Sequence, residues 1–149
     1  MFVPDGFEPP LGLAADRFRL EPLGPEHNDR DFAAWSSSIE HILASPGFGP
    51  ERTWPHEMSR DDNLADLERH ADDFAARTGF TYTVVDPEED DVVGCVYLYP
   101  ARDGAHDALV TSWVRASRAE LDAPLREAVS AWLASDWPFE RPLYAPLLD

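Results

Sequence analysis

Apolar and polar residues alternate over Phe18–Leu23 (FRLEPL), the pattern of a strand with one buried face. Pro25 follows where a helix start tolerates proline. Phe32, Trp35, Ile39, Ile42 and Leu43 then recur at the spacing of one helical face, which predicts a single helix ended by Ser45–Pro50 (SPGFGP). A second helix is predicted with Ser59 as N-cap, Asp62 in its first turn and Leu64, Leu67, Ala71, Phe74 and Ala75 as its apolar stripe. Gly79 is placed as its C-terminal stop. Phe80–Asp86 and Val92–Pro100 are β-branched and aromatic and flank the acidic turn PEEDD, so they predict a hairpin. Ala108–Val114 reads as a further strand.

The last helix is decided by Pro124. A start at Ser117–Glu120 (SRAE) has the form of a capping box, but it would bury Pro124 in the helix interior at about 3 kcal/mol. A start with Asp122 as N-cap puts Pro124 in the first turn, and Leu125, Val129, Trp132 and Leu133 then form one stripe. Arg141–Leu148 reads as a final strand confined to an edge or made irregular by Pro142 and Pro146. Residues 1–16 have no periodicity and read as an extended arm. The order is strand, two helices, three strands, helix and a last strand. It predicts one α+β domain over residues 1–149, with a mixed sheet flanked by helices.

Composition narrows the function classes. A 44% apolar content with five Trp and eight Phe supports a real core. The 29 acids face 12 arginines and no lysine, for a net charge of −17. That balance disfavours nucleic acid and anionic membranes, which need a basic footprint. It suits a cationic partner such as an amine, although scattered surface acids more often serve solubility. Arginine without lysine fits a G+C-rich genome or a saline host. No apolar run of about 18 residues and no basic-then-apolar leader is present, so neither a membrane span nor a signal peptide is expected. Cys95 is the single cysteine, which excludes an internal disulfide or a cysteine-based zinc cage and points to the cytoplasm.

The stretch from Phe18 to Leu148 resembles the GNAT N-acetyltransferases in the order and spacing of its elements. The resemblance rests on FRLEPLGPEHNDRDFAAW, VVGCVYLYP, ALVTSWV and the helix behind them. It implies a GNAT-like, mostly antiparallel sheet and acyl transfer from acetyl-CoA as co-substrate to a small-molecule or peptide amine. The family motif Q/R-x-x-G-x-G/A falls on RAELDA. Arg118 and Ala123 fit its ends, and Leu121 stands in place of the first glycine. By resemblance, Ser112–Arg115, with Trp113, Val114 and Arg115, line the pantetheine arm, and Arg118–Ala123 meet the pyrophosphate.

Several departures go with it. Leu121 would make a left-handed turn costly, by about 1–2 kcal/mol. Asp122 puts a carboxylate at the helix N-terminus, and Pro124 removes a donor. A capped helix start explains the same residues without a ligand. The family's later helix and strands, with their acidic tyrosine, are expected to be missing because the sequence stops at Asp149, and the family's basic glutamate falls on Leu109. The alternative is therefore a non-catalytic scaffold that binds or oligomerises, with a homodimer covering the sheet edge.

The candidate proton-transfer groups are His106, Tyr99 and Tyr144. His106 has the intrinsic pKa range for the task but sits in a loop segment. Tyr97 and Tyr99 alternate onto one strand face and can line a pocket. His41 and His70 are placed at solvent-facing helix positions, with no two-histidine metal spacing, and DPEEDD lacks the spaced ligands of a calcium loop. Cys95 reads as buried packing.

Overall fold

The computed structural model describes residues 1–48 and 54–144. The alternating stretches pair into one six-stranded sheet in chain order: β1 Leu13–Ala14, β2 Arg19–Pro22, β3 Phe80–Asp86, β4 Asp91–Tyr99, β5 Ala108–Val114 and β6 Pro142–Tyr144. Neighbouring strands run antiparallel up to β5, and β6 joins β5 in parallel. Helices α1 Asn28–Ser36, α2 Ile39–Leu43 and α3 Arg60–Ala76 lie between β2 and β3, and α4 Asp122–Asp136 lies between β5 and β6. This is the mixed, mostly antiparallel α+β arrangement expected.

Each difference from expectation has a physical cause. The single helix predicted over Phe32–Leu43 is broken at Ser37 and Ser38. The Ser37 hydroxyl donates to the Ala33 carbonyl at 2.8 Å, a back-bond that competes with the helix. Ser38 leaves helical geometry, and its Oγ accepts the Ala116 N–H at 2.8 Å. Helix α3 starts as predicted, with Ser59 Oγ accepting the Asp62 N–H at 3.0 Å. Its stop, however, is Arg77 in left-handed geometry (φ 64°), not Gly79. A Cβ on Gly79 would lie 2.1 Å from the Tyr99 ring, so this glycine makes room for an aromatic side chain.

Helix α4 begins at Asp122, but Ala116–Leu121 winds into it as a 3₁₀ turn. Leu121 therefore takes the cap position that Asp122 was expected to hold. Pro124 falls in the first turn, and Leu125, Val129, Trp132 and Leu133 are all buried. The N-terminal stretch is packed as well as extended. Val3 is 2% exposed, Phe2 stacks on Phe80 and Phe139, and the Tyr82 hydroxyl donates to the Pro10 carbonyl at 2.6 Å. Of the predicted end segments, Gly49, Pro50 and residues 145–149 lie outside the described residues.

The central strands are buried on both faces, because each face has its own cover. On one face α4 and the N-terminal stretch pack on Tyr82, Val84, Val96, Leu98 and Val110. On the other, α1–α3 pack Trp35, Ile42 and Leu67 against Val92, Cys95 and Trp113. Val92 and Cys95 share a face although three positions apart. A bulge explains this: Val84 pairs with Gly94 and Val85 with Val92, so Val93 is an extra residue that shifts the alternation. No helix among the described residues is long and apolar enough to cross a membrane.

Beyond the bulge, Gly94 lets β5 approach closely. A Cβ there would lie 2.4 Å from the Trp113 carbonyl oxygen and 3.3 Å from Val114 Cα, both main-chain atoms that cannot swing aside. Gly94→Ala is expected to lower stability by about 1–3 kcal/mol, the usual range for overpacking. Urea unfolding at neutral pH measures it, and an unchanged midpoint would show that the two strands are not so closely set.

Candidate active site

Helix α3 carries a polar seam. Asn63, Asp66, His70 and Asp73 recur at steps of three or four and share one face. Leu67, on the same side, anchors that face in the core, so the seam turns toward β4 rather than to solvent. Asn63 fixes the orientation. Its Oδ1 accepts the Trp35 indole N–H at 3.0 Å, and its amide N–H groups donate to Asn28 Oδ1 at 2.8 Å and Asp31 Oδ2 at 3.1 Å.

Opposite the seam, Tyr97 and Tyr99 project from β4 and Leu109 and Thr111 from β5. Together with Asp31, Phe48 and Trp54 they enclose a cleft of about 540 Å³. That volume suits a small molecule or the end of a chain. No residue of the N-terminal stretch lines it.

Inside the cleft three groups are joined. The Tyr99 hydroxyl donates to Asp73 Oδ2 at 2.8 Å. His70 Nδ1 lies 3.0 Å from that same hydroxyl and 3.1 Å from Thr81 Oγ1. Burial pushes the His70 pKa down to about 4, with Arg69 lowering it further and Asp73 and Asp66 opposing. Burial raises Asp31 to about 6, offset in part by the Asn63 hydrogen bond. Burial also raises the Tyr99 phenol, as does its bond to Asp73. His70 was expected at a solvent-facing position. The structure places it in the cleft wall instead. The signal available in the sequence was the run NLADLERHADD, in which Asn63, Asp66, His70 and Asp73 share a helical face, but nothing in it says which face meets the sheet.

The other candidates are distributed differently. Tyr99 lies in the cleft. His106 does not: it pairs with Asp103 in an exposed loop. Tyr144 faces α4, bonded to Ser112 Oγ at 2.5 Å with the Arg126 guanidinium 4.3 Å above its ring, and burial pushes its pKa up to about 12. Among the described residues no group of three or more His, Cys, Asp or Glu has a metal-binding arrangement.

The residues assigned to the cofactor lie along β5 and after it. Among the described residues β6 pairs with Ala108–Val110, and Thr111–Val114 pair with β4. The turn that follows is not an open nest of N–H groups. Arg118 N–H donates to Arg115 O, Asp122 N–H to Ala119 O, and Ala116 N–H to Ser38 Oγ. Leu121 is buried with a right-handed backbone (φ −82°), so the strained left-handed geometry expected there does not arise. What remains to meet a diphosphate is arginine: Arg118, bonded to Asp86 at 2.9 Å, and Arg17, which shares Glu120 with Arg118 at 3.4 Å each. Arg115 is held by Asp91 at 3.0 Å. The donors that fit the anionic end of an acyl-CoA are therefore guanidinium groups, each already paired with a carboxylate.

No protein-family model and no curated protein matches the sequence. Solved structures do match. The ribosomal-protein-S5-alanine acetyltransferase of Vibrio fischeri superposes with a TM-score of 0.69 at 14% identity, over 91% of this chain and 73% of that one. The Salmonella typhimurium acetyltransferase that modifies the N-terminal serine of ribosomal protein L7/L12 gives 0.62 at 10% identity, over 82% and 67%. The microcin C7 self-immunity acetyltransferase, solved with acetyl-CoA and AMP, gives 0.61 at 11%, over 81% and 65%. The chain has the GNAT acetyltransferase fold.

Asp31 and His70 give opposite pH dependences. Asp31 has a higher pKa folded (about 6) than its ordinary 3.8, so only the folded chain keeps its proton between these values. Its contribution to stability falls as pH rises through that window, by about 3 kcal/mol. His70 has a lower pKa folded (about 4) than its ordinary 6.5, so the unfolded chain takes up the proton first and stability is lost as pH falls through that range. Asp31→Asn is expected to leave a stability profile that climbs more steeply from pH 4 to 6.5 than the parent's, and His70→Gln one that declines relative to it. Urea titrations at half-unit pH steps check both signs.

Proposed function

We propose that the chain is an N-acetyltransferase that moves an acetyl group from acetyl-CoA to a cationic amine held in the cleft. The observation that carries this reading is the double use of β5. Among the described residues Thr111–Val114 have β4 as their one strand partner, so their outer edge suits the pantetheine arm, and Leu109 and Thr111 on the face of β5 line the acceptor cleft. A thioester laid along the edge therefore meets an amine in the cleft at one strand, which supplies the positioning that acyl transfer chiefly needs. Main-chain N–H groups of that strand polarise the carbonyl. Asp31, Asp66 and Asp73 line the cleft against Arg69 and favour a positively charged acceptor, as does the net charge of −17. The neighbours whose names give an N-terminal serine and acetyl-CoA as ligands lend support. On this reading the chain is one domain, works in the cytoplasm where acetyl-CoA is made and used, and takes a small-molecule or peptide amine.

A second reading, a GNAT-like scaffold that binds without catalysis, is favoured by one observation: the 3₁₀ winding of Ala116–Leu121 spends N–H groups that a phosphate would need. Titration calorimetry with acetyl-CoA separates the two. Saturable binding is expected. Glu120→Gln, which frees Arg17 and leaves Arg118 with Asp86 as its one ion-pair partner among the described residues, should tighten it, and Arg118→Ala should weaken it about tenfold, the loss of one charge-assisted contact of about 1.4 kcal/mol. No heat with the parent or with Glu120→Gln would leave the scaffold reading.

A further inference from the structure

We propose that His70 is the proton acceptor for the attacking amine, with its Nε2 presented to the cleft by a positioning pair, Tyr99 and Asp73. The inference rests on the acetyl-transfer reading for its reaction and on hydrogen-bond accounting for its geometry.

Tyr99 has one hydroxyl proton, and Asp73 Oδ2 at 2.8 Å is an acceptor only, so the proton points there. Toward His70 the Tyr99 oxygen therefore offers a lone pair. At 3.0 Å, a bare Nδ1 would set two lone pairs against each other, whereas a protonated Nδ1 donates to Tyr99 and to the rotatable Thr81 hydroxyl beside it. A neutral imidazole with its proton on Nδ1 has a bare Nε2. Among the described residues Nε2 makes no hydrogen bond, and His70 is part of the cleft wall.

The arrangement is held from several sides. Gly79 leaves room for the Tyr99 ring, and the Tyr97 ring lies 5.7 Å from the imidazole. The charged and titratable groups facing His70 are Asp66, Arg69 and Asp73 from α3 and Tyr97 and Tyr99 from β4. Burial keeps the ring neutral at physiological pH, the state a proton acceptor requires.

The step balances as follows. The cationic acceptor first gives up one ammonium proton to water; the lone pair of the neutral amine then forms the C–N bond to the thioester carbonyl carbon, and the C–S bond breaks with its electron pair going to sulfur. One N–H proton passes to His70 Nε2 and from there to the thiolate, directly or through water. The products are the amide and the free thiol, and the imidazole is restored. Asp73, through Tyr99, steadies the charge that the ring carries between these transfers.

Two measurements test the proposal. Long-range ¹H–¹⁵N spectra of histidine-labelled protein at pH 7 report the tautomer without any substrate. His70 is expected to show a protonated Nδ1 and a bare Nε2, and Tyr99→Phe to shift it toward the commoner Nε2–H form. Thiol release from acetyl-CoA with putrescine, spermidine, lysinamide and arginine amide reports transfer. His70→Gln is expected to lower kcat about 10²-fold or more while acetyl-CoA affinity by calorimetry stays within twofold.

A protonated Nε2 in the parent overturns the proposal, and so does His70→Gln with the parent's kcat. If the parent neither binds acetyl-CoA nor acetylates any amine, the acetyl-transfer reading fails, and the proton-acceptor role fails with it. Parent activity on any of these amines separates the two, because His70→Gln then decides the role of the imidazole alone.

Discussion

The cleft depends on the side-chain amide of Asn63. It is buried, and all of its donors and its acceptor oxygen are used, on Trp35, Asn28 and Asp31. A buried amide has no cheap alternative to such a network, because each lost partner leaves a desolvated polar atom. Helix α3 is thereby fixed in rotation and height against α1. Fixing Asn63 fixes Asp66, His70 and Asp73 one, two and three turns further along, since they share its face. Arg60 adds a bond to Asp29, and the Asn28 amide reaches the Arg60 carbonyl, so both helix starts are clamped together.

The sheet supplies the opposite wall by two departures from regularity. The extra residue at Val93 lets β4 keep Cys95, Tyr97 and Tyr99 on the α3 face while Val92 stays there too. Gly94 and Gly79 then remove side-chain bulk where β5 and the Tyr99 ring pass close. The result is a surface on which two tyrosines stand side by side with their hydroxyls committed, Tyr97 accepting from Trp113 at 2.9 Å and Tyr99 donating to Asp73. Polar groups are thus held in a half-buried site without losing their partners, which is the condition for preorganised chemistry.

The helix after β5 shows the opposite compromise. Its entry winds as a 3₁₀ turn with a buried leucine where a phosphate loop would open, and it is tied across the molecule by the Ser38 hydroxyl. The local cations are neutralised by Asp86, Asp91 and Glu120. An anion arriving there meets guanidinium groups that are already paired, so affinity reports a difference between phosphate and carboxylate partners rather than a new interaction.

Periodicity in the sequence determined the strands β2 to β5, the hairpin, α3 with its Ser59 cap, and the start of α4 to within one residue, because Pro124 has to fall in the first turn. Those features are local: a proline, a cap or an alternation acts within a few residues. Tertiary structure decided the rest. The break at Ser38 needs Ala116 as partner, and the packing of Val3 needs the far side of the sheet. Arg77 rather than Gly79 stops α3, and Gly79 instead makes room for Tyr99, a residue 20 positions away. His70 is the plainest case. In sequence it is one polar residue on an acidic helix, and only the rotation of α3 set by Asn63 brings it to Tyr99. A side chain's neighbours within one helical face are written in the order of residues, whereas its neighbours across a cleft depend on how two elements pack, and that is fixed by contacts between residues far apart in the chain.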